Sequence, residues 1–330
     1  MLARKMFVGL AAVLILAVAT PATADEFKGW YGALDLALTQ PAGLDQNYAS
    51  HVDYGSGNFG ETERLVLDND DNLDFTAAFG FSWGKMGMLQ VSYWGTSGND
   101  RFDDTLNGGV YPVVAGYSPN IGGGYLYDTA PGVDFEAESD LRASTWDIDY
   151  IRPMAAGDKF SVNWVAGLRV AEFKENLFFD GTDAYDRYVQ ERHISSSGWG
   201  FKVGATANMD FTDHLGLEAS VAMSFLQGTS KGTSSFCDGG CGSANQQDDT
   251  EGSDDSMRGE IRDYGLQAVW HQGPIDIFAG FRSSNWDGLP SNPDPGPEGG
   301  HFAIGSVSDK DRSDVTFNSW HVGAKWYIGG

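Results

Sequence analysis

Residues 72–83 read Asn72-Leu-Asp-Phe-Thr-Ala-Ala-Phe-Gly-Phe-Ser-Trp83, and their spacing decides the fold. Leu73, Phe75, Ala77, Phe79, Phe81 and Trp83 take every second position, opposite Asp74, Thr76, Ala78, Gly80 and Ser82. Strict period-2 alternation of this length specifies a strand whose two faces meet different solvents. Strands of soluble proteins usually run to about five or six residues. A tilted strand that crosses a bilayer needs about 9–11.

The pattern recurs along the chain. Lys28–Thr39 puts Trp30, Leu34, Leu36 and Leu38 opposite Tyr31, Ala33, Asp35 and Ala37. Leu89–Trp94, Thr145–Tyr150, Ser161–Val170, Trp199–Met209, Leu215–Phe225, Asp263–Trp270, Ile275–Ser284 and Ser319–Ile328 alternate in the same way, which predicts ten strands. Four connections are short (84–87, 153–159, 212–214 and 272–274), and five are long and polar (40–71, 96–139, 175–195, 228–257 and 287–313). They alternate strictly. A soluble sandwich or jelly roll would not sort its loops in this manner, whereas an up-and-down transmembrane barrel has short turns at one end and long loops at the other. The expected fold is therefore an all-β, up-and-down antiparallel transmembrane β-barrel of ten strands. Twelve are expected instead if 109–116 and 122–127, Gly-rich and aromatic, form a further hairpin.

Composition agrees. Among 330 residues there are 44 Gly and 13% aromatics, with 46 acidic against 21 basic side chains and a net charge of −25. Such a surface does not bind the phosphate backbone of nucleic acid. The first residues read as a secretory signal peptide: Arg4 and Lys5, the apolar run Met6–Thr20, then Ala22-Thr23-Ala24. Cleavage near Ala24 is expected to leave one exported domain, 25–330, and to move the charge from −25 to −27 by removing two basic residues. After residue 24 no apolar run approaches the ~18 residues of a membrane helix.

Desolvation assigns the faces. The apolar face carries no formal charge in its central spans. The other carries Asp35, Asp74, Asp147, Asp149, Glu218, Asp263 and Asp276 together with Arg169, Lys202, Arg282 and Lys325. A basic side chain facing lipid near the midplane would cost about 2–4 kcal/mol, so these eleven residues are expected to face the lumen as pore-lining groups. Trp30, Tyr93, Trp146, Tyr150, Trp199, Trp270 and Trp326 lie near strand ends on the apolar face, where an interfacial aromatic girdle belongs.

One region resembles a known family. Asp147-Ile-Asp-Tyr-Ile-Arg-Pro153 is followed by Val165-Ala-Gly-Leu-Arg-Val-Ala-Glu-Phe173, by Ser197-Gly-Trp-Gly-Phe-Lys-Val-Gly204 and by the Leu-rich stretch Leu215–Gly228. Over 140–228 this order and spacing resemble the Legionella-type major outer-membrane protein family of pore-forming barrels, with Phe201-Lys202 where that pattern has Pro-Arg. The resemblance implies a porin-like role in the outer membrane of a Gram-negative-type bacterium and leaves the permeant open. The C-terminal stretch with His321, Gly323, Trp326 and Ile328 resembles the outer-membrane assembly signal, although the chain ends Gly329-Gly330 in place of Phe.

Motifs for chemistry are sparse. The six histidines are dispersed, and His193 beside Ser195–Ser197 is the one local candidate for a nucleophile and base, so neither enzyme activity nor a metal or cofactor is expected. The first of the acidic runs 68–74 and 248–255 lacks the turn glycine of a calcium loop, and both read as solvated outer loops, with divalent bridging to lipopolysaccharide phosphate as a second reading. Expected partners are outer-membrane lipid and lipopolysaccharide, the barrel-assembly machinery and small solutes or ions. Two readings of function stand: a narrow, cation-favouring pore, because inward acids outnumber inward bases, or a closed structural or surface-interaction barrel whose opposite charges plug it. An outer-membrane enzyme is a weaker third.

Cys237 and Cys241 are the only cysteines, with three residues between them in an exported loop, and an oxidising compartment favours their pairing. Alkylation of the unreduced exported protein should label neither thiol; quantitative labelling of both would exclude the bond.

Overall fold

The structure, a computed structural model, describes residues 27–42, 46–52, 62–67, 72–106, 109–112, 133–157, 159–182, 187–238, 249–290 and 312–329. In chain order its strands are β1 (Lys28–Ala42), β2 (Gln46–Val52), β3 (Thr62–Leu67), β4 (Asn72–Trp83), β5 (Met88–Leu106), β6 (Gly109–Pro112), β7 (Val133–Ala156), β8 (Phe160–Thr182), β9 (Arg187–Asp210), β10 (Leu215–Asp238), β11 (Asp249–Gln272), β12 (Ile275–Pro290) and β13 (Arg312–Ile328). Ten of them close an antiparallel barrel in the order β1-β4-β5-β7-β8-β9-β10-β11-β12-β13. β13 returns to β1 in continuous register from Trp30↔Ile328 to Ala42↔Thr316. Closure leaves the barrel without an edge at membrane level, and only closed barrels or helices satisfy every backbone group in lipid.

The barrel has the ten strands the alternation predicts, and the twelve-strand alternative fails. Gly109–Pro112 pairs with β2, and together with β3 these strands make a separate three-stranded sheet. The other half of the proposed hairpin, 122–127, falls outside the described residues.

Around the barrel the outward positions form a continuous apolar band. Leu34, Leu36, Phe75, Phe79, Ile148, Leu168, Val203, Val221 and Leu266 are all well exposed. Trp30, Trp146, Trp199 and Trp270 are also exposed at the ends of this band, where amphipathic rings sit at a membrane interface. A face of this composition is stable only against lipid.

The strands run much further than expected at the loop end. β8 continues to Thr182 and β9 begins at Arg187, while β10 reaches Asp238 and β11 begins at Asp249, so most of 175–195 and 228–257 is paired strand. The reason is an inversion of the alternation. In β7, Trp146 and Ile148 face out and Asp147 and Asp149 face in. Higher up the same strand Ala143, Leu141, Ala137 and Phe135 face in and are buried, while Arg142 faces out. Below the switch the barrel stands in lipid with a polar interior; above it the barrel stands in water with an apolar one. Period 2 persists while its polarity reverses.

At the opposite end the turns are minimal. Gly84–Met86 makes one 3-10 turn, and β11 returns to β12 through Gly273, whose φ of 68° is left-handed. Glycine adopts that conformation without steric penalty.

The lipid face predicts its own energetics. Leu34→Arg, placed in the middle of the band, should lower stability by about 2–4 kcal/mol in urea titrations of the vesicle-folded protein. Thr229→Arg, outward but above the band, should cost at most about 1 kcal/mol. Equal costs would mean that the apolar band does not face lipid.

Candidate functional site

All eleven predicted luminal charges point inward, and the structure joins them into three connected groups. In the first, Asp147 of β7 and Arg169 of β8 are direct cross-strand partners. The Arg169 guanidinium donates from Nε and Nη2 to the two oxygens of Asp147, both at 2.7 Å, and from Nη1 to Asp263 at 2.6 Å. Asp263 stands on β11, three strands further round the wall, so this guanidinium spans a chord of the lumen. Lys202 of β9 donates at 2.6 Å to both Asp147 and Asp149. Between them lies Gly167 of β8, register partner of both Asp149 and Lys202. A Cβ there would fall 2.2 Å from Asp149 Oδ1. The Gly167-Leu-Arg169 motif thus has a steric reason: the glycine leaves room for an ion pair to pass over β8.

The second group gathers on Arg282 of β12. It donates to Asp35 of β1 and Asp74 of β4, each at 3.1 Å, and to the Thr76 hydroxyl at 2.6 Å. Asp74, fully buried, also accepts from Trp94 Nε1 at 2.9 Å and from the Ser319 hydroxyl at 3.1 Å. His321 Nδ1 stands 3.8 Å from Asp35, too far for a hydrogen bond.

The third group lies toward the short turns. Lys325 of β13 pairs with Glu218 of β10, again three strands away, and Gln267 donates to the same carboxylate at 2.9 Å. Asp276 accepts from Tyr327 at 3.0 Å and lies 2.8 Å from His271 Nδ1. The other ring nitrogen of His271 is 3.2 Å from Asp210.

Above this belt, toward the loop end, the buried residues are mostly apolar, with Ser139, Glu175, Ser196 and Ser230 among them. Leu141, Phe173, Leu226, Met257, Ile261, Trp286, Val315 and Phe317 form one buried cluster, with Trp94 packed against it. The rings of Trp94, Trp286 and Phe317 lie 5.4–5.9 Å apart, centre to centre. Between belt and cluster is a chamber of about 220 Å³. It is bounded by Arg169, Arg282, Glu218, Asp263 and His321, by hydroxyls including Ser220 and Ser319, and by Trp94 and Phe317.

Two histidines also line the lumen beside the predicted charges. His271, next to last in β11, bridges two carboxylates at the short-turn end of the wall. His321, on the same face of its strand as Lys325, is luminal and borders the chamber. Both occupy inward positions in the same period as their neighbouring charges, which was the available signal. Gly323 also faces inward, against Phe278 and Asp35, whereas Trp326 packs over Gly32 and Ile328 is exposed. His193 does not approach a serine hydroxyl: its Nδ1 meets Asn176 at 2.9 Å, while Ser196 turns inward to Ser230. Among the described residues no group of three or more His, Cys, Asp or Glu side chains is arranged to hold a metal ion. Cys241, the Cys237 side chain and most side chains of the two acidic runs fall outside the described residues.

No family model matches the chain, and no curated protein matches it. Its structure is similar to solved outer-membrane barrels at very low identity. The outer membrane protease OmpT of Escherichia coli is 10% identical with a TM-score of 0.46, over 95% of this chain and 99% of that one. The toluene transporter TodX of Pseudomonas putida is 6% identical with a TM-score of 0.28, over 94% and 96%. The attachment invasion locus protein Ail of Yersinia pestis is 9% identical with a TM-score of 0.19, over 92% and 100%.

Removing Arg169 would leave Asp147 and Asp263 without their main partner. Arg169→Ala should destabilise the folded barrel by about 3–5 kcal/mol, the cost of breaking a buried ion pair from one side. The triple replacement Arg169→Met, Asp147→Leu, Asp263→Leu should recover most of that loss in the same urea titration.

Proposed function

We propose that the chain is a closed, non-enzymatic outer-membrane barrel that carries a tall extracellular wall for contacts at the cell surface. The observation that carries this reading is the chord from Arg169 to Asp263, with Lys325–Glu218 crossing three strands below it. Ten strands enclose little more width than eight, and eight-stranded barrels are filled by their side chains. Charges that meet across such a bore occupy the path a solute would take. The apolar cluster above adds a second barrier, since a dry constriction opposes the entry of hydrated ions.

The outer-membrane location rests on the signal peptide, the lipid band and the aromatic girdle. Lipopolysaccharide is the partner that the outward rim would meet first, and the C-terminal strand with His321, Gly323, Trp326 and Ile328 is the segment offered to the assembly machinery. A second reading, a narrow cation-favouring pore, is supported by the chamber and by seven luminal acids against four bases.

Planar-bilayer recording separates the two. The purified protein should give no steady conductance. A steady conductance with a reversal potential favouring cations, reduced by Asp147→Asn and Asp149→Asn, would replace the closed barrel by the pore.

A further inference from the structure

We propose that the outward face of β7–β10, just above the lipid band, docks an outer-leaflet lipid with a phosphorylated sugar headgroup, its phosphate held directly by Arg142 and Lys174. The proposal rests on the outer-membrane location proposed above and holds for a closed or an open barrel.

The first observation is alignment. Arg142 of β7 and Lys174 of β8 are direct register partners; Lys174 is in turn the partner of Ser195 on β9, and Ser195 of Lys231 on β10. All four side chains take outward positions, so three basic groups lie in one row. The chain as a whole has a net charge of −25, and the row runs against that composition. Further round the wall, above the same lipid band, Glu260, Asp287 and Asp314 surround Arg262. The outer surface is therefore polarised, with its bases gathered on one side.

The second observation is height. Trp146, Val170 and Trp199 are register partners on the same three strands and cap the lipid band there. Arg142 and Lys174 stand four residues beyond them, about 13 Å along a strand and about 10 Å in height at a tilt of about 40°. Register traced from Ala42 through β13 and round the wall returns to β1 at Trp30, nearer the short turns. Rows therefore climb from β7 to β10, by about 3 Å per strand. Arg142 and Lys174 stand lowest, and Lys231 stands outermost. Long basic side chains lean back along an apolar surface, which brings the lower two to the phosphates of a headgroup layer. The line between this row and the tryptophans is Ser144, Glu172, Ser197 and Thr229. Three hydroxyls of four, each able to donate and accept, suit sugar better than a bare phosphodiester.

The third observation is donor capacity. Arg142 gives Nε and Nη2 to Asp140 at 3.4 and 3.0 Å. A guanidinium has five N–H groups, so three remain, and the side chain is 67% exposed. Asp140 orients this fork without saturating it. Lys174, 56% exposed, lies 3.9 Å from Glu172, too far for a hydrogen bond. Exposed pairs of this kind are weak and exchange readily. Neighbouring strands are about 4.8 Å apart, so one phosphate can accept from both cations, and charge-assisted bonds to phosphate are the strong kind.

The test uses the full-length protein. Refolding into phosphatidylcholine vesicles checks the membrane location, and failure to insert would remove that reading and this proposal together. The protein is then titrated in neutral detergent with EDTA and followed by native mass spectrometry. Diphosphoryl lipid A should bind about tenfold more tightly than lipid A stripped of both phosphates, and about tenfold more tightly than phosphatidylglycerol. Arg142→Gln combined with Lys174→Gln should abolish that preference, and Arg262→Gln should preserve it. Equal binding of the three lipids by a protein that inserts would overturn this proposal alone. So would a preference retained by the double variant. A preference that appears only when magnesium replaces EDTA would assign the lipid to the carboxylates through a bridging cation, and would also overturn it. Displacement of lipid A by equimolar inorganic phosphate would identify a free-anion site instead. If the double variant does not fold, the two single variants decide: each should lower the preference about threefold, and no change in either would overturn the site.

Discussion

A strand in a bilayer has only one side on which to keep a charge, and that constraint orders the whole molecule. Lipid covers the outward face, so every ionised side chain at membrane level must turn inward. A bore of ten strands is narrow enough that the inward charges meet each other before they meet bulk water. Arg169 shows the result: its fork is used in full, two donors on its cross-strand neighbour Asp147 and a third on Asp263 across the lumen. Such a pair gives little net stability over an apolar isostere, but its geometry is demanding. It fixes which strands stand opposite one another, and so works against register slippage in a sheet whose backbone pairing alone would tolerate it.

The same constraint explains where the ion pairs stop. Beyond the lipid band the outer face meets water and can hold Arg142, Lys174 and Lys231, so the interior is free to become a conventional dry core. Leu141, Phe173, Ile261 and Phe317 occupy there the positions that Asp147, Arg169, Asp263 and His321 occupy below. The barrel is thus two proteins stacked on one set of strands. The lower half is a membrane protein, polar inside, and the upper half is a soluble β-barrel, apolar inside. Trp94 joins them, its indole nitrogen donating to Asp74 while its ring packs on Phe317.

This stacking also sets how much was legible in the sequence. Where lipid and lumen oppose each other, as in 72–83, the alternation is strong enough to give strand, face and fold without any long-range information. All eleven luminal charges follow from it. The upper halves were not legible because the reading followed a fixed apolar face, and that face changes sides near Ala143. Stretches such as Phe173–Leu177 then look like ordinary loop sequence, although Phe173, Glu175 and Leu177 are buried in strict alternation. Partnership was beyond reach for a different reason. That Arg169 meets Asp263, or Lys325 meets Glu218, depends on curvature and closure, and no local pattern encodes a chord.

Glycine leaves room where inward side chains of neighbouring strands lie over the backbone. Gly167 lies under the Asp149–Lys202 pair, and Gly323 lies against Phe278 and Asp35. At each a Cβ would come within 2.6 Å of its neighbour, so a side chain would push the pair out of line. Neither glycine leaves free space, because the neighbouring side chains occupy it. Small residues and long charged ones therefore belong to one device. Among the described residues the lumen is filled by a few far-reaching side chains, with a polar chamber left beneath the aromatic layer. On the reading proposed above, recognition at the cell surface would fall to the tall wall and the loops it carries.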